Sequence, residues 1–154
     1  QAREMKLTGV DMSRPASQKQ HRRVRADHAT ELAEDYVEAI AEICEAHGLC
    51  RGTDLASRFG VSHVTVNRTL GRLHRDGYVG TVPYAPVTLT PRGKRLAEAA
   101  ARRHAVVLEF LTVLGVSPAA AAIDAEGIEH HCSPETLRCM EEFVLRQRTT
   151  NPAE

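Results

Sequence analysis

The sequence predicts a mainly α fold with a small β-hairpin: an N-terminal winged helix-turn-helix followed by an all-α dimerisation domain. Three observations lead there. Two short amphipathic segments, 53–59 and 63–75, are separated by Gly60-Val61-Ser62, the pattern of two helices joined by a tight glycine turn. Two β-branched runs flanking a proline-rich turn come next, in the place of a wing. Beyond them the pattern is helical to about residue 147, and one helix is apolar on nearly every side.

The elements follow in order. Residues 1–26 lack apolar periodicity and read as a disordered basic arm, whose His21-Arg22-Arg23-Val24-Arg25 cluster could touch a phosphate backbone. Residues 27–47 read as a helix. Leu32, Ala33, Tyr36, Val37, Ile40 and Ile43 form its apolar stripe, Glu31, Asp35, Glu38, Glu42 and Glu45 lie opposite, and Gly48 ends it. In 53–59, Thr53 is the candidate N-cap and Leu55, Ala56 and Phe59 are the buried positions. In 63–75, Ser62 caps, Val66, Leu70 and Leu73 face inward, and Gly77 stops the helix. Residues 78–82 and 87–90 are the hairpin strands, around Pro83-Tyr84-Ala85-Pro86. Thr90-Pro91 opens a further helix, with proline at the first helical position. From Leu96 to Leu114 the chain is helical and very apolar. Ser117-Pro118 opens a helix to about His131, and Ser133-Pro134 one to about Gln147. Some fifty residues are too few to bury the 96–114 helix on all sides, which predicts a dimer interface there.

The net charge of zero hides a sorted distribution. Residues 1–26 carry +5, 27–50 carry −7, 51–95 carry +6 and 96–147 carry −4. The basic middle suits phosphate and the acidic flanks suit cations, although solvated faces show the same blocks. Cys44, Cys50, Cys132 and Cys139 form no CxxC pair and read as reduced thiols. No apolar run approaches the roughly 18 residues of a membrane span, and no apolar segment opens the chain as a signal peptide would. A cytoplasmic protein with no membrane partner is expected.

Two constellations carry chemistry. The helix of residues 63–75 presents Ser62, His63, Thr65, Asn67 and Arg68 near its start, suited to base edges. Arg72 and Arg75, with Arg92, Lys94 and Arg95 past the wing, suit phosphates. Double-stranded DNA is the expected partner, and a winged helix used for protein contacts is the alternative. In Glu126-Gly127-Ile128-Glu129-His130-His131, helical spacing puts Glu126, Glu129 and His130 within an arc of roughly 100°. Two carboxylates and an imidazole on one face suit a divalent cation, and equally a solvated face. Asp35 with Glu38, and His104 on the apolar helix, say little by themselves.

Taken together these residues resemble the diphtheria toxin repressor family of metal-activated repressors, and within it the manganese transport regulator branch. The resemblance rests on Glu34-Asp35-Tyr36-Val37-Glu38, on Arg103-His104 with Glu109-Phe110-Leu111, and on Leu114-Gly115-Val116-Ser117. It rests most on Asp124-Ala125-Glu126-Gly127-Ile128-Glu129-His130-His131, then Ser133 and Glu135-Thr136-Leu137, and spans about residues 27–147. It implies a binuclear Mn²⁺ centre with Asp35, Glu38, His104, Glu126, Glu129 and His130 as ligands, other divalent transition metals being able to substitute. It also implies a homodimer that, when manganese is bound, represses manganese-uptake genes at a DNA operator, and no enzyme activity. Iron-sensing relatives carry sulfur residues where this chain has Asp35 and Glu126, so the set here is all oxygen and nitrogen, suited to a hard cation. Ser62-His63-Val64-Thr65-Val66 departs from the relatives' frequent S-x-P-T-V, which leaves the operator sequence open. The SH3-like third domain of many iron-sensing relatives is expected to be absent. An iron-responsive repressor of the same family and a metal-independent winged-helix regulator are the alternatives. A di-metal carboxylate enzyme is disfavoured, because the chain has no Glu-x-x-His pair.

The expected organisation is a basic arm over 1–26, a winged helix-turn-helix DNA-binding domain over 27–95, a helical metal-binding and dimerisation domain over 96–147, and a tail over 148–154.

Overall fold

The computed structural model describes residues 18–80 and 85–150, with side chains from 28 to 80 and from 85 to 149. The elements are α1 (Gln18–His47), α2 (Gly52–Phe59), α3 (His63–Arg75), β1 (Val79–Gly80), β2 (Thr88–Leu89), α4 (Pro91–Val113), α5 (Pro118–Glu129) and α6 (Pro134–Thr150).

Helix α1 starts at Gln18, so residues 18–26, expected in a disordered arm, are helical. Gln, Lys, Arg and Ala dominate that stretch and are strong helix formers, which extends the helix without an apolar stripe. The rest of the expected arm, residues 1–17, lies outside the described residues. The α1 stripe works as expected: Ala33, Tyr36, Val37 and Ile40 are buried, with Leu32 and Ile43 against the same core. Tyr36 stacks on Phe59 with ring centroids 4.4 Å apart, joining α1 to α2. Leu55, Val66, Leu70, Leu73, Val79 and Val87 complete this aliphatic core.

Helix α2 begins one residue before the expected cap, Thr53. Arg51 takes the N-cap position, and its backbone N–H donates to the Asp54 carboxylate at 2.7 Å. Gly60 then adopts a left-handed conformation, φ 63°, which turns the chain into α3. Ser62 caps α3 by accepting from the Thr65 backbone N–H at 3.2 Å. In the wing, Val79 faces Leu89 and Gly80 faces Thr88 in antiparallel register. Cys50 adds an antiparallel bridge to Val87, which ties the α1–α2 connection to the hairpin. Pro83 and Tyr84 of the expected turn, and residues 81 and 82 of the expected first strand, lie outside the described residues.

Thr90 caps α4, accepting from the Gly93 N–H at 3.0 Å and donating to the Gly77 carbonyl at 2.6 Å. Gly93 sits against the wing so closely that an added Cβ would lie 2.0 Å from the Tyr78 carbonyl oxygen. Only glycine permits that approach. Helix α4 then runs without interruption through residues 95 and 96, the expected domain boundary, because Leu96–Arg103 contains no helix breaker. It is the spine of the chain, packing on α1, β2, α5 and α6. Part of its all-round apolarity is thus satisfied within one chain, as in the edge-to-face pair Phe110–Phe143 at 5.5 Å. Ser117 caps α5, and Ser133 accepts from the Thr136 N–H at the start of α6. Helix α5 ends at Glu129 with His130 as C-cap, and α6 continues to Thr150, past the expected Gln147.

Val113, Leu114, Ile123, Ile128 and Leu145 remain exposed on α4, α5, α6 and the turn after α4, with Ile123 at 74%. Exposed aliphatic groups concentrated in this half have the character of an interface. The four cysteines are free. Among the described residues no helix is long and apolar enough to cross a membrane.

Candidate metal centre and nucleic-acid interface

Helix α1 is held on two sides. Its apolar stripe faces the winged helix, and its acidic side faces α4 and α5, so Asp35 and Glu38 are half-buried rather than solvated. They line a cleft of about 450 Å³ with Glu42, Arg58, Phe59, His104 and Glu126.

His104 on α4 meets Glu126 and Glu129 on α5. Its Nδ1 lies 3.6 Å from Glu126 Oε1 and 3.3 Å from Glu129 Oε2. One donor atom from each of these three residues falls within 4.8 Å of the others, close enough for a single cation. His130, at the α5 C-cap, turns the other way. Its Nε2 lies 3.4 Å from Asp35 Oδ1 and 3.7 Å from Glu129 Oε1. Glu38 lies within electrostatic reach of Glu129, Glu126, Asp35 and His104. Of the six residues named for the metal in the sequence, Asp35, Glu38, His104 and Glu126 line that cleft, and Glu129 stands between His104 and His130 beside it.

The electrostatics describe a site short of positive charge. Burial pushes Glu38 up to about 7, and Glu129, Glu126 and Asp35 push the same way. Burial also pushes Glu129 up to about 7, against His130, which pulls it down. Asp35 is raised too, chiefly by burial and against the pull of His130. His130 is raised although burial lowers it, because the Glu34 hydrogen bond and the Asp35 and Glu129 carboxylates outweigh that burial. Glu129 is 1% exposed, and among the described residues its Oε2 has no hydrogen-bond partner. With only the His104 ring 3.3 Å away and no hydrogen bond made, such a buried carboxylate oxygen costs about 1–3 kcal/mol unless something binds it. Together with an all oxygen and nitrogen donor set, this fits a hard or borderline divalent cation.

Sequence reasoning assigned no role to Glu34. It is 7% exposed, ion-pairs with Arg103 at 2.7 Å and accepts from His130 Nδ1 at 2.9 Å. Arg58, paired with Glu42 at 2.7 Å, also lines the cleft.

On α3, His63, Thr65, Asn67 and Arg68 are exposed and Arg72 is half-buried. Ser62 is exposed, but its hydroxyl is engaged in the cap and with Thr65 Oγ1 at 3.1 Å. Arg92, expected against phosphate, lies over the Tyr78 ring, 4.7 Å from its centroid. Val64, which was not singled out, is 67% exposed beside His63 on the same first turn.

Two family models divide the chain between them. Residues 28–87 match the iron dependent repressor N-terminal DNA binding domain, and residues 90–153 match the iron dependent repressor metal binding and dimerisation domain. The chain belongs to the iron-dependent repressor family. It is a transcriptional regulator of that family rather than an enzyme. Within the family it falls with relatives named transcriptional regulator MntR. The Salmonella typhimurium relative is 45% identical over 129 residues, covering 84% of this chain and 82% of that protein. The Escherichia coli O6:H1 relative is 46% identical over 125 residues, covering 81% of each. Among solved structures, a manganese-dependent transcriptional repressor in complex with manganese shares the fold at TM-score 0.65 and 31% identity. That match covers 73% of this chain, which spans about half, 52%, of the solved chain.

Proposed function

We propose that this regulator is a manganese-responsive repressor, working as a homodimer on operator DNA in the cytoplasm and silencing manganese-uptake genes when the metal is plentiful. The observation that carries the reading is that Asp35 and Glu38, from α1, share a cleft with His104 and Glu126, from α4 and α5, while Glu129 meets His104 and His130 meets Asp35 beside it. These six residues would hold the metal as a binuclear centre. The names of the 45% identical relatives and of the manganese-bound solved structure support the choice of metal. The absence of sulfur from the set supports it chemically.

A bound cation would supply the positive charge that this carboxylate cluster lacks. Asp35 and Glu38 sit on the helix whose other face packs the winged helix, so their position relative to His104 and Glu126 sets where α3 stands. His104 and Glu129 hold α5 against α4, which keeps the exposed aliphatic face of the C-terminal half in a fixed shape for a second copy. A fixed dimer fixes the separation of two recognition helices, and operator half-sites one helical turn apart read that separation. His63, Thr65, Asn67 and Arg68 would contact base edges, Arg72 the phosphates, and Ser62 would hold the helix start. Val64 would add an apolar contact to a thymine methyl. Linkage makes the coupling mutual, so operator DNA must tighten metal binding by the factor by which metal tightens DNA binding.

The test is titration of labelled operator DNA with metal-stripped protein, with and without Mn²⁺. Tight binding only with Mn²⁺ is expected. Equal binding in both conditions would leave a DNA-binding protein that does not sense this metal.

A further inference from the structure

We propose that Glu34 is a positioning residue of the metal centre, fixing His130 in its Nδ1-protonated tautomer and, through Arg103, holding α1 against α4. The proposal rests on the metal-centre reading above and adds a residue outside the ligand set.

Glu34 precedes Asp35, and Arg103 precedes His104. The 2.7 Å ion pair between Glu34 and Arg103 thus links the two helices beside one ligand on each. Its second oxygen, Oε2, accepts from His130 Nδ1 at 2.9 Å, bringing in the end of α5. One buried carboxylate joins three helices, and both its oxygens are occupied. That occupancy keeps it out of the ligand set although it adjoins Asp35. Glu31, one turn earlier, faces the exposed His28 and His131 instead and reaches none of the six residues by ion pair or hydrogen bond.

The tautomer follows from the partner. A carboxylate paired with a guanidinium only accepts, and its 2.9 Å contact is shorter than either carboxylate contact at Nε2, so the neutral His130 ring carries its proton on Nδ1. Nε2 then keeps its lone pair, and it is Nε2 that faces Asp35 Oδ1 at 3.4 Å and Glu129 Oε1 at 3.7 Å. Without Glu34 the ring is free to protonate Nε2 instead, and the Arg103 cation stands beside His104 without its counter-charge. Outer partners that orient a metal-binding histidine typically matter by about 10–100-fold in metal affinity.

The experiment uses the whole chain, ¹⁵N-labelled at histidine, first metal-stripped in mildly alkaline buffer. Long-range proton–nitrogen spectra should show His130 protonated at Nδ1 in the wild type and shifted toward Nε2–H in Glu34→Leu. Mn²⁺ titration should then weaken by about 10–100-fold in Glu34→Leu. Glu34→Gln, which offers one acceptor oxygen to the two donors Arg103 and His130 Nδ1–H and no charge to Arg103, should lose affinity by a smaller factor. Circular dichroism checks that each variant is folded. A wild-type His130 protonated at Nε2, or a Glu34→Gln protein with wild-type Mn²⁺ affinity, overturns the proposal. So does a folded Glu34→Leu protein with unchanged ring shifts. Asp35→Ala is the control: if it too leaves Mn²⁺ affinity unchanged, the ligand reading fails, whereas the tautomer is read without metal.

Discussion

His130 Nε2 lies 3.4 Å from Asp35 Oδ1, a contact that joins the end of α5 to the helix on which the winged helix is built. Glu129, one residue earlier, faces His104 on α4 at 3.3 Å. The site therefore lies where the DNA-binding half meets the C-terminal half, and its charge state bears on both.

Removing a carboxylate from either half should uncouple metal from DNA. Asp35→Ala and Glu126→Ala are expected to weaken Mn²⁺-dependent operator binding far more than the residual metal-free binding. Asp35 is half-buried and the Glu126 side chain is 70% exposed, so neither change should unfold the protein. Fluorescence anisotropy of labelled operator reads both states, and an equal loss in each would sink the ligand assignment.

Acidity should act against the metal and in favour of the metal-free fold. Glu38 and Glu129 are raised from 4.5 to about 7, so between those values the folded, metal-free protein holds more protons than the unfolded chain. Metal-free stability therefore falls as pH rises through that window. His130 acts in the same direction: its raised value stabilises the fold at low pH, and that stability is lost as pH rises through its folded value. Mn²⁺ needs the carboxylates deprotonated, so its affinity should climb across the same range. Metal-free Glu38→Gln should melt higher than wild type near neutral pH and no higher at about pH 4. A Mn²⁺ affinity that stays flat from about pH 5 to about pH 8 contradicts the account.

Gly93→Ala should loosen the junction of wing and α4. The new Cβ would lie 2.0 Å from the Tyr78 oxygen and 3.2 Å from Leu89 Cδ2, so backbone must move. Overpacking of this kind costs about 1–3 kcal/mol, readable by urea unfolding. A wild-type midpoint would mean that the wing lies further from the helix.

The exposed aliphatic surface of the C-terminal half should be the dimer contact. Ile123→Glu places a charge on α5 at a position 74% exposed in the single chain, so the chain should fold normally yet sediment as a monomer. A dimer of unchanged affinity would move the interface elsewhere.

Arg68→Ala, on the exposed side of α3, should weaken binding to operator more than to random DNA if the side chain reads a base edge. Equal losses on both, with a shallower salt dependence, would assign Arg68 to phosphate instead.

Local signals carried most of the fold. The caps at Ser62, Thr90 and Ser117, and the inward spacing of Val66, Leu70 and Leu73, depend on neighbours a few residues away. The misplaced boundaries have local causes that compete: α2 starts at Gly52 because Asp54 closes a capping contact on Arg51, which a search for a Thr cap overlooks. The extension of α1 over 18–26 has only helix propensity behind it, and a search for an apolar stripe passes over it. The site was harder to read. Helical spacing puts Glu31, Glu34, Asp35 and Glu38 on neighbouring parts of one surface, but not which of them meets α5. The Glu34–His130 hydrogen bond spans 96 residues, so only the packed chain reveals it. The ligand expectations came from the resemblance, since Asp35 and Glu38 alone look like any acidic helix face.

The most direct test of the metal centre is the Mn²⁺ stoichiometry of metal-stripped protein, followed by electron paramagnetic resonance of the free ion. The proposed binuclear centre should take up about two Mn²⁺ per chain. No tight uptake would contradict the account and leave a winged-helix regulator that answers to another signal.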